Sequence, residues 1–84
     1  MILEAQFEQA LENVNAIVAS EGGTAADIAR VTCFFVEKPT DGPRIGAAIK
    51  SAFPNSPPAM SWIYVAGLFR PDVKVEIEAI AAVI

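Results

Sequence analysis

One short segment limits the possible folds of this chain more than any other. Residues 31–37 read VTCFFVE, and their β-branched and aromatic side chains are typical of a strand. Because side chains alternate along a strand, one face carries Val31, Cys33 and Phe35, and the other carries Thr32, Phe34 and Val36. A strand that is apolar on both faces is normally covered on both. We therefore expect this strand to be buried on both sides.

An amphipathic helix precedes this strand. Apolar side chains recur at spacings of three and four between Leu3 and Val18, with glutamates between them, which predicts a helix from about Ile2 to Ser20. The pair Gly22-Gly23 would end the helix, since glycine adopts the left-handed cap conformation without strain. Residues 24–27 (TAAD) resemble a capping box that opens one short helical turn, which would end near Arg30.

The second half of the chain predicts one more helix and two more strands. Pro43 suits a first helical turn, and an apolar residue every fourth position extends this helix to about Phe53. Residues 59–68 and 73–83 alternate as strands do, and residues 69–72 (FRPD) form the turn between them. We expect these two strands to pair as a hairpin whose far face keeps Trp62, Tyr64 or the row from Val73 to Val83.

The order helix-strand-helix-strand-strand predicts an α+β fold with a mixed sheet and the helices on one face. A crossover helix between the first two strands favours a parallel pair. The chain has 84 residues, enough for a single domain over 1–84, and 54% of them are hydrophobic. So short a chain has little interior for that much apolar surface, so we expect a homo-oligomer.

Composition argues against several functions. The net charge is −4 without a basic stripe, which gives no support for nucleic-acid binding or for a ribonuclease. One Cys and no His argue against a Cys/His metal site and a His-based triad, and we expect no cofactor. No apolar run reaches the length of about 18 residues that a membrane span needs. We expect no membrane partner and a cytoplasmic location.

The C-terminal third carries the pattern of a known family. Its segments are PPAMS at 57–61, VAGL at 65–68 and VEIEAIA at 75–81. Together with the first helix and first strand, they resemble the Rid/YjgF family, which is named for reactive intermediate deaminase A and is also labelled L-PSP endoribonuclease. The resemblance implies an α/β sandwich, assembly as a trimer and ligand sites in clefts between subunits. It also implies hydrolysis of imines and enamines such as 2-aminoacrylate to 2-keto acids and ammonia.

Three departures from the family pattern bear on function. The family has strands before the first helix that this sequence lacks. Where the family has the arginine that grips the substrate carboxylate, this chain has Met60, and where the second helix offers an asparagine it has Gly46. A guanidinium holds a carboxylate through two parallel hydrogen bonds that a thioether cannot replace. Met60 therefore reads as a packing residue rather than a ligand, with Arg44, Arg70 and Lys74 as conceivable substitutes.

The other candidate site residues each have a functional and a structural interpretation. Glu76 matches the family glutamate that positions or activates water, or it lies on a solvated face beside Lys74. Ser61 could touch a ligand or fill an apolar strand. Trp62 and Tyr64 could line a pocket or form the centre of a subunit interface. Cys33 reads as a buried, inert thiol.

Two function hypotheses follow. The first is a divergent oligomeric member that binds a small metabolite at a subunit cleft, with Met60, Ser61, Trp62 and Gly46 nearest the ligand. The second is an imine or enamine deaminase in which Glu76 assists water. Met60 and Gly46 favour the first hypothesis.

Overall fold

The computed structural model describes residues 1–84. Its elements are α1 (Leu3–Ser20), a 3₁₀ turn (Ala25–Asp27), β1 (Ile28–Phe35), α2 (Gly42–Ala52), β2 (Ala59–Tyr64) and β3 (Val75–Ala81). This order confirms the predicted α+β fold with two helices and a three-stranded mixed sheet. The observed strands are shorter than predicted at the C-terminal end, and β1 begins three residues earlier, so that it includes Arg30.

The strand order is β2-β1-β3, with β1 parallel to β2 and antiparallel to β3. The prediction that the last two strands pair as a hairpin is therefore wrong, although their connection does turn at residues 70–73, where Val73 N donates to Arg70 O. β1 takes the central place because its apolar faces and its two backbone edges all gain from neighbours. Central placement leaves β2 and β3 as the two edges.

Both helices lie on one face of the sheet, and the core fills the space between the layers. α1 packs against β3 and α2. The core side chains are Leu3, Phe7, Leu11, Val18, Ile28, Val31, Cys33, Phe35, Ile45, Phe53 and Val75. Most come from α1 and from one face of β1, as the periodicity of both segments predicts. Trp62 and Tyr64 of β2, and Val75, Ile77 and Ala79 of β3, also face the helices. This corrects the expectation that the far face of the sheet keeps Trp62, Tyr64 or the row from Val73 to Val83.

A polar network joins α1 to the start of α2. The carboxylate of Glu4 accepts hydrogen bonds from the backbone N–H groups of Thr40 and Asp41, both at 3.2 Å. Arg44 donates Nε and Nη2 to the two carboxylate oxygens of Glu8, each at 2.8 Å. Backbone hydrogen bonds lower the pKa of Glu4, and the guanidinium of Arg44 lowers that of Glu8. Arg44 is therefore occupied in holding the helices together.

The residues that begin or end the helices do so through side-chain caps and a glycine. Thr24 N donates to Asp27 Oδ2 at 2.7 Å, which confirms the capping box. Asp41 caps α2 by accepting from Arg44 N at 3.1 Å. Gly22 adopts a φ of +83°, a conformation that side chains with a Cβ rarely take, and so ends α1 as predicted.

The single chain exposes more surface than a typical protein of its mass. Its accessible area is 5349 Å², about a tenth above the value of roughly 4,800 Å² expected at 8.9 kDa. Part of the excess is apolar, because Trp62, Ile63, Tyr64 and Ile80 are each at least 41% exposed. These side chains lie on the two edge strands, where a partner would cover them.

Candidate functional site

The register of the three strands assigns every sheet residue to one of two faces. On the helix-covered face, the rows across the sheet are Met60–Val31–Ala79, Trp62–Cys33–Ile77 and Tyr64–Phe35–Val75. On the uncovered face, the rows are Ala59–Arg30–Ile80, Ser61–Thr32–Glu78 and Ile63–Phe34–Glu76. Neighbouring strands lie about 4.8 Å apart, so residues in one row are close enough to share a small ligand.

Met60 and Trp62 lie together on the helix-covered face of β2. Met60 is half-buried and packs against the core. The indole of Trp62 meets the rings of Phe7 and Phe35 edge-on, with centroids 5.7 and 5.1 Å away. Tyr64 continues this row and is 53% exposed. We call Met60, Trp62 and Tyr64 the aromatic shelf, an apolar surface at an open sheet edge.

Ser61 and Glu76 lie on the opposite, uncovered face. Ser61 is on β2 and Glu76 is on β3, with β1 between them. Glu76 is exposed, and its neighbour across the sheet is Phe34. Within one chain, therefore, the sheet itself separates Glu76 from Met60. The two can reach one ligand only if different copies of the chain contribute them.

Gly46 is exposed on α2, in the helix layer, and a Cβ added to it would meet nothing within 4 Å. Its position is thus remote from the uncovered face that holds Ser61 and Glu76. The structure brings Met60 and Trp62 together, brings Ser61 and Glu76 to a second face, and leaves Gly46 apart from both pairs.

The three cations named as substitutes for the missing arginine are paired elsewhere. Arg44 binds Glu8, Arg70 lies 3.3 Å from Asp72 in the turn, and Lys74 lies 3.0 Å from Glu37.

Arg30 is different, because it forms no ion pair and donates instead to Ser61 Oγ on the uncovered face. Sequence reasoning missed Arg30 by ending the short helical turn there. Residues 30, 32 and 34 are every second position of the chain. A strand extended back to residue 30 would have placed Arg30 on the same face as Thr32 and Phe34.

The thiol of Cys33 is fully buried in the centre of β1. Burial disfavours the thiolate and raises the pKa of this group to about 12. A nucleophilic cysteine needs the opposite shift, so the geometry supports the inert interpretation.

No three His, Cys, Asp or Glu side chains converge as a metal site would require. Neither helix combines the length and the hydropathy that crossing a bilayer demands. The largest cavity, about 500 Å³, is a groove between α1 and α2 that includes Glu12, Asn15 and Ser51. Asn15 donates to Ala52 O there, at 3.1 Å.

The fold defines the class of protein: an α+β domain of two helices and a three-stranded mixed sheet. The model of the family described as endoribonuclease L-PSP matches residues 2–83. The chain belongs to this family, which is the Rid/YjgF family that the sequence motifs indicated.

Individual relatives agree with this assignment. A RutC family protein from Haemophilus influenzae is 46% identical over 81 residues, covering 92% of this chain and 61% of the relative. A 2-iminobutanoate/2-iminopropanoate deaminase from Salmonella typhimurium is 42% identical over 82 residues, covering 94% of this chain and 62% of the relative. The chain thus spans about three fifths of the length of these curated relatives.

Solved structures give the same fold. A Rid-family protein of unknown function from Yersinia pestis superposes with a TM-score of 0.88 at 33% identity, covering 98% of this chain and 63% of the other. RidA from an Antarctic Psychrobacter superposes with a TM-score of 0.81 at 28% identity, covering 98% and 65% respectively. The fold of this chain is therefore similar to that of solved members of the family.

Proposed function

We propose that this chain is a small-metabolite-binding member of the Rid/YjgF family that works as a homo-oligomer, with its ligand cleft between copies. One observation carries the proposal: the residue at the family's arginine position is the neutral Met60, and it lies on the opposite sheet face from Glu76. A single chain therefore offers Glu76 no cation at that position with which to orient a substrate carboxylate.

The exposed surfaces support assembly. The aromatic shelf is half-exposed at the β2 edge, and large aromatic side chains are enriched at subunit interfaces. The unpaired backbone of an edge strand also favours association. We propose a trimer located in the cytoplasm, with residues 1–84 acting as one domain. In such an assembly the shelf of one copy and Glu76 of another would form the two walls of a cleft.

The second candidate is imine or enamine hydrolysis, in which Glu76 assists water. The observation that favours it is the retention of Glu76 within the VEIEAIA segment, together with relatives named as 2-iminobutanoate/2-iminopropanoate deaminases. In this scheme the carboxylate of Glu76 accepts a proton from water as the oxygen adds to the imine carbon, and ammonia leaves after proton return.

An assay on 2-aminoacrylate separates the two candidates. The compound is generated in situ by a dehydratase, and its spontaneous decay is followed by absorbance. The proposal expects no acceleration by the wild-type chain. It expects Met60→Arg to accelerate decay on the order of 10- to 100-fold over wild type, because hydrogen bonds to charged groups contribute about 1.5–3 kcal/mol each.

The controls make the assay specific. Ile17→Arg adds the same charge at an exposed position of α1, away from both faces of the sheet, so it should leave the decay rate unchanged. Adding Glu76→Ala to Met60→Arg should abolish the gain. If the wild type already accelerates decay and Glu76→Ala removes that activity, the deaminase is the correct function and our proposal is wrong.

Assembly is tested separately by sedimentation equilibrium. The proposal expects a mass near three times the 8.9 kDa of one chain. Trp62→Glu, which places a charge on the aromatic shelf, should shift the mass toward one chain. A wild-type mass of 8.9 kDa at tens of micromolar would contradict the cleft between copies.

A further inference from the structure

The largest cavity of the chain lies entirely in the helix layer, and we call it the helix groove. The residues that line it all belong to α1 or α2: Glu8, Leu11, Glu12, Asn15, Ala47, Ala48, Ser51 and Ala52. Its volume of about 500 Å³ falls within the range of roughly 300–1,000 Å³ that is usual for small-ligand sites. Because no strand residue lines it, a second copy that covers the sheet leaves this groove open.

The unpaired polar groups of the helix groove accept hydrogen bonds. The carboxylate of Glu12 forms no hydrogen bond and no ion pair. Asn15 donates Nδ2 to Ala52 O at 3.1 Å, and its Oδ1, which is shielded from solvent, has no donor. Turning the amide around would bring two oxygens together, so Oδ1 stays unpaired. The hydroxyl of Ser51 also has no partner, so a ligand in the groove meets mainly acceptors.

Three contributions make the electrostatic potential of the helix groove negative. Glu12 carries a full charge, and the unpaired Oδ1 of Asn15 adds a partial charge that no donor offsets. The helix α2 ends at Ala52, and the carboxyl end of a helix carries roughly half a negative charge. The groove therefore attracts a cation and repels a carboxylate.

The two cations of α2 leave this charge in place. Arg44 donates to both carboxylate oxygens of Glu8, so the charge of Glu8 is already compensated. Lys50 forms no ion pair and does not line the groove. The charge of Glu12 is therefore not neutralised by any side chain of the chain.

We infer that the helix groove binds a small primary amine, as an alkylammonium ion that carries no carboxylate. An ammonium has three donors and no acceptor, so it can donate to Glu12 on α1 and to Ser51 Oγ on α2. Its hydrocarbon part lies on an apolar floor formed by Leu11, Ala48 and Ala52, of which Leu11 is fully buried. The small side chains of α2 leave room for a chain of a few carbon atoms.

This site goes beyond the proposed function in its location and in the charge of its ligand. The subunit cleft involves the aromatic shelf and Glu76, which lie on the sheet, whereas the helix groove is contained in one copy. Its ligand is a cation, so the loss of the family arginine at position 60 does not affect it. The groove therefore binds its ligand in a single copy and in an assembly alike.

Amide chemical shifts of the ¹⁵N-labelled chain test the site with probes that share one carbon chain. n-Butylamine carries a positive charge, 1-butanol carries none and butyrate carries a negative charge. Burial of the carbon chain and one exposed ion pair should give n-butylamine a dissociation constant of roughly 1–10 mM. 1-Butanol should bind about twofold to fivefold more weakly, and butyrate should cause no saturable shifts. The shifts should centre on Glu12, Asn15 and Ser51.

Variants and a series of amines then assign the contacts. Glu12→Gln should weaken n-butylamine binding about twofold to fivefold and leave 1-butanol binding unchanged. Glu21→Gln is the matched control, because it removes an exposed carboxylate that follows α1 and lies outside the groove; it should change neither affinity. Each methylene added from ethylamine to n-butylamine should tighten binding by up to about fourfold, since it is buried on the apolar floor.

Several results would overturn the inference. Equal binding of butyrate and n-butylamine would show that the groove does not select a cation. An unchanged affinity in Glu12→Gln, or shifts centred on the sheet, would place the ammonium elsewhere, and an affinity independent of chain length would remove the apolar floor. No saturable shift up to about 50 mM n-butylamine, on the order of ten times the expected constant, would show that the groove binds no amine. Sedimentation and the 2-aminoacrylate assay do not involve this groove, so failure here is distinguishable from failure of the proposed function.

Discussion

Removal of the aromatic ring of Phe7 should be the most damaging single truncation near the aromatic shelf. Phe7 is fully buried on α1. Its ring stacks on Phe35 at a centroid distance of 5.9 Å and supports the edge of Trp62 at 5.7 Å. Phe7→Ala would leave a cavity between α1 and the strands β1 and β2. The packing of α1 on the sheet would be weakened, and Trp62 would lose one of the two rings that it contacts.

The expected loss follows from general magnitudes. Truncation of a buried Phe to Ala costs about 3–5 kcal/mol in unfolding free energy, and two aromatic neighbours place this site in the upper half of that range. A domain of 84 residues has roughly 4–13 kcal/mol of stability in total. Each kcal/mol shifts the Tm of a domain this size by about 4–8 °C, so Tm should fall by at least about 16 °C.

Urea unfolding followed by tryptophan fluorescence measures this loss, because Trp62 is the only tryptophan in the chain. Phe69→Ala is the matched control: its ring is 91% exposed, so its removal should change stability by no more than about 0.5 kcal/mol. If Phe7→Ala does not fold, Phe7→Leu should fold with a smaller loss. A loss below about 1.5 kcal/mol for Phe7→Ala would refute the packing of α1 on the shelf.

Three further predictions concern other parts of the chain. Gly23→Ala should destabilise by about 1–3 kcal/mol in thermal unfolding, because its Cβ would lie 2.7 Å from Val83 Cγ2; Gly46→Ala has open space, so an equal loss there would contradict the reasoning. The lowered pKa of Glu8 means that its contribution to stability is present above its ordinary value of 4.5 and is lost as the pH falls through the lowered value. As the pH is lowered below 4.5, the urea concentration at the unfolding midpoint should therefore fall, and it should fall less steeply with pH in Glu8→Gln than in the wild type. The same dependence on pH in both proteins would exclude the Arg44 contact as the cause. Finally, Cys33, with its pKa raised to about 12, should react with Ellman's reagent at pH 8 only after unfolding in urea, and immediate stoichiometric reaction of the native chain would show that the thiol is accessible.

The sequence predicted the elements better than their arrangement. Helical periodicity and the glycine pair located α1 to within one residue of its observed start, and the apolar strand face that carries Val31, Cys33 and Phe35 lies in the core. Chain order suggested that the last two strands are neighbours. The preference of β1 for two partners overrides that local expectation, and only the three-dimensional pairing reveals it.

Register also explains why the candidate site could not be assembled from the sequence. Alternation shows which residues of one strand share a face, but not which face of one strand aligns with which face of another. Met60 and Glu76 therefore gave no sign that they lie on opposite sides of the sheet. The same information assigns Arg30 to the face of Ser61 and Glu78, once β1 is known to begin at Ile28.

The position of a bound carboxylate tests the account most directly. Amide chemical shifts of the ¹⁵N-labelled chain, recorded while pyruvate is added, locate the anion without any assumption about catalysis. The account predicts no saturable shifts at Met60, Trp62 and Tyr64 in the wild-type chain, and saturable shifts at these residues in Met60→Arg, where a guanidinium can hold the carboxylate. Saturable shifts centred on Met60, Trp62 and Tyr64 in the wild-type chain would show that position 60 still holds the carboxylate, and would contradict the account.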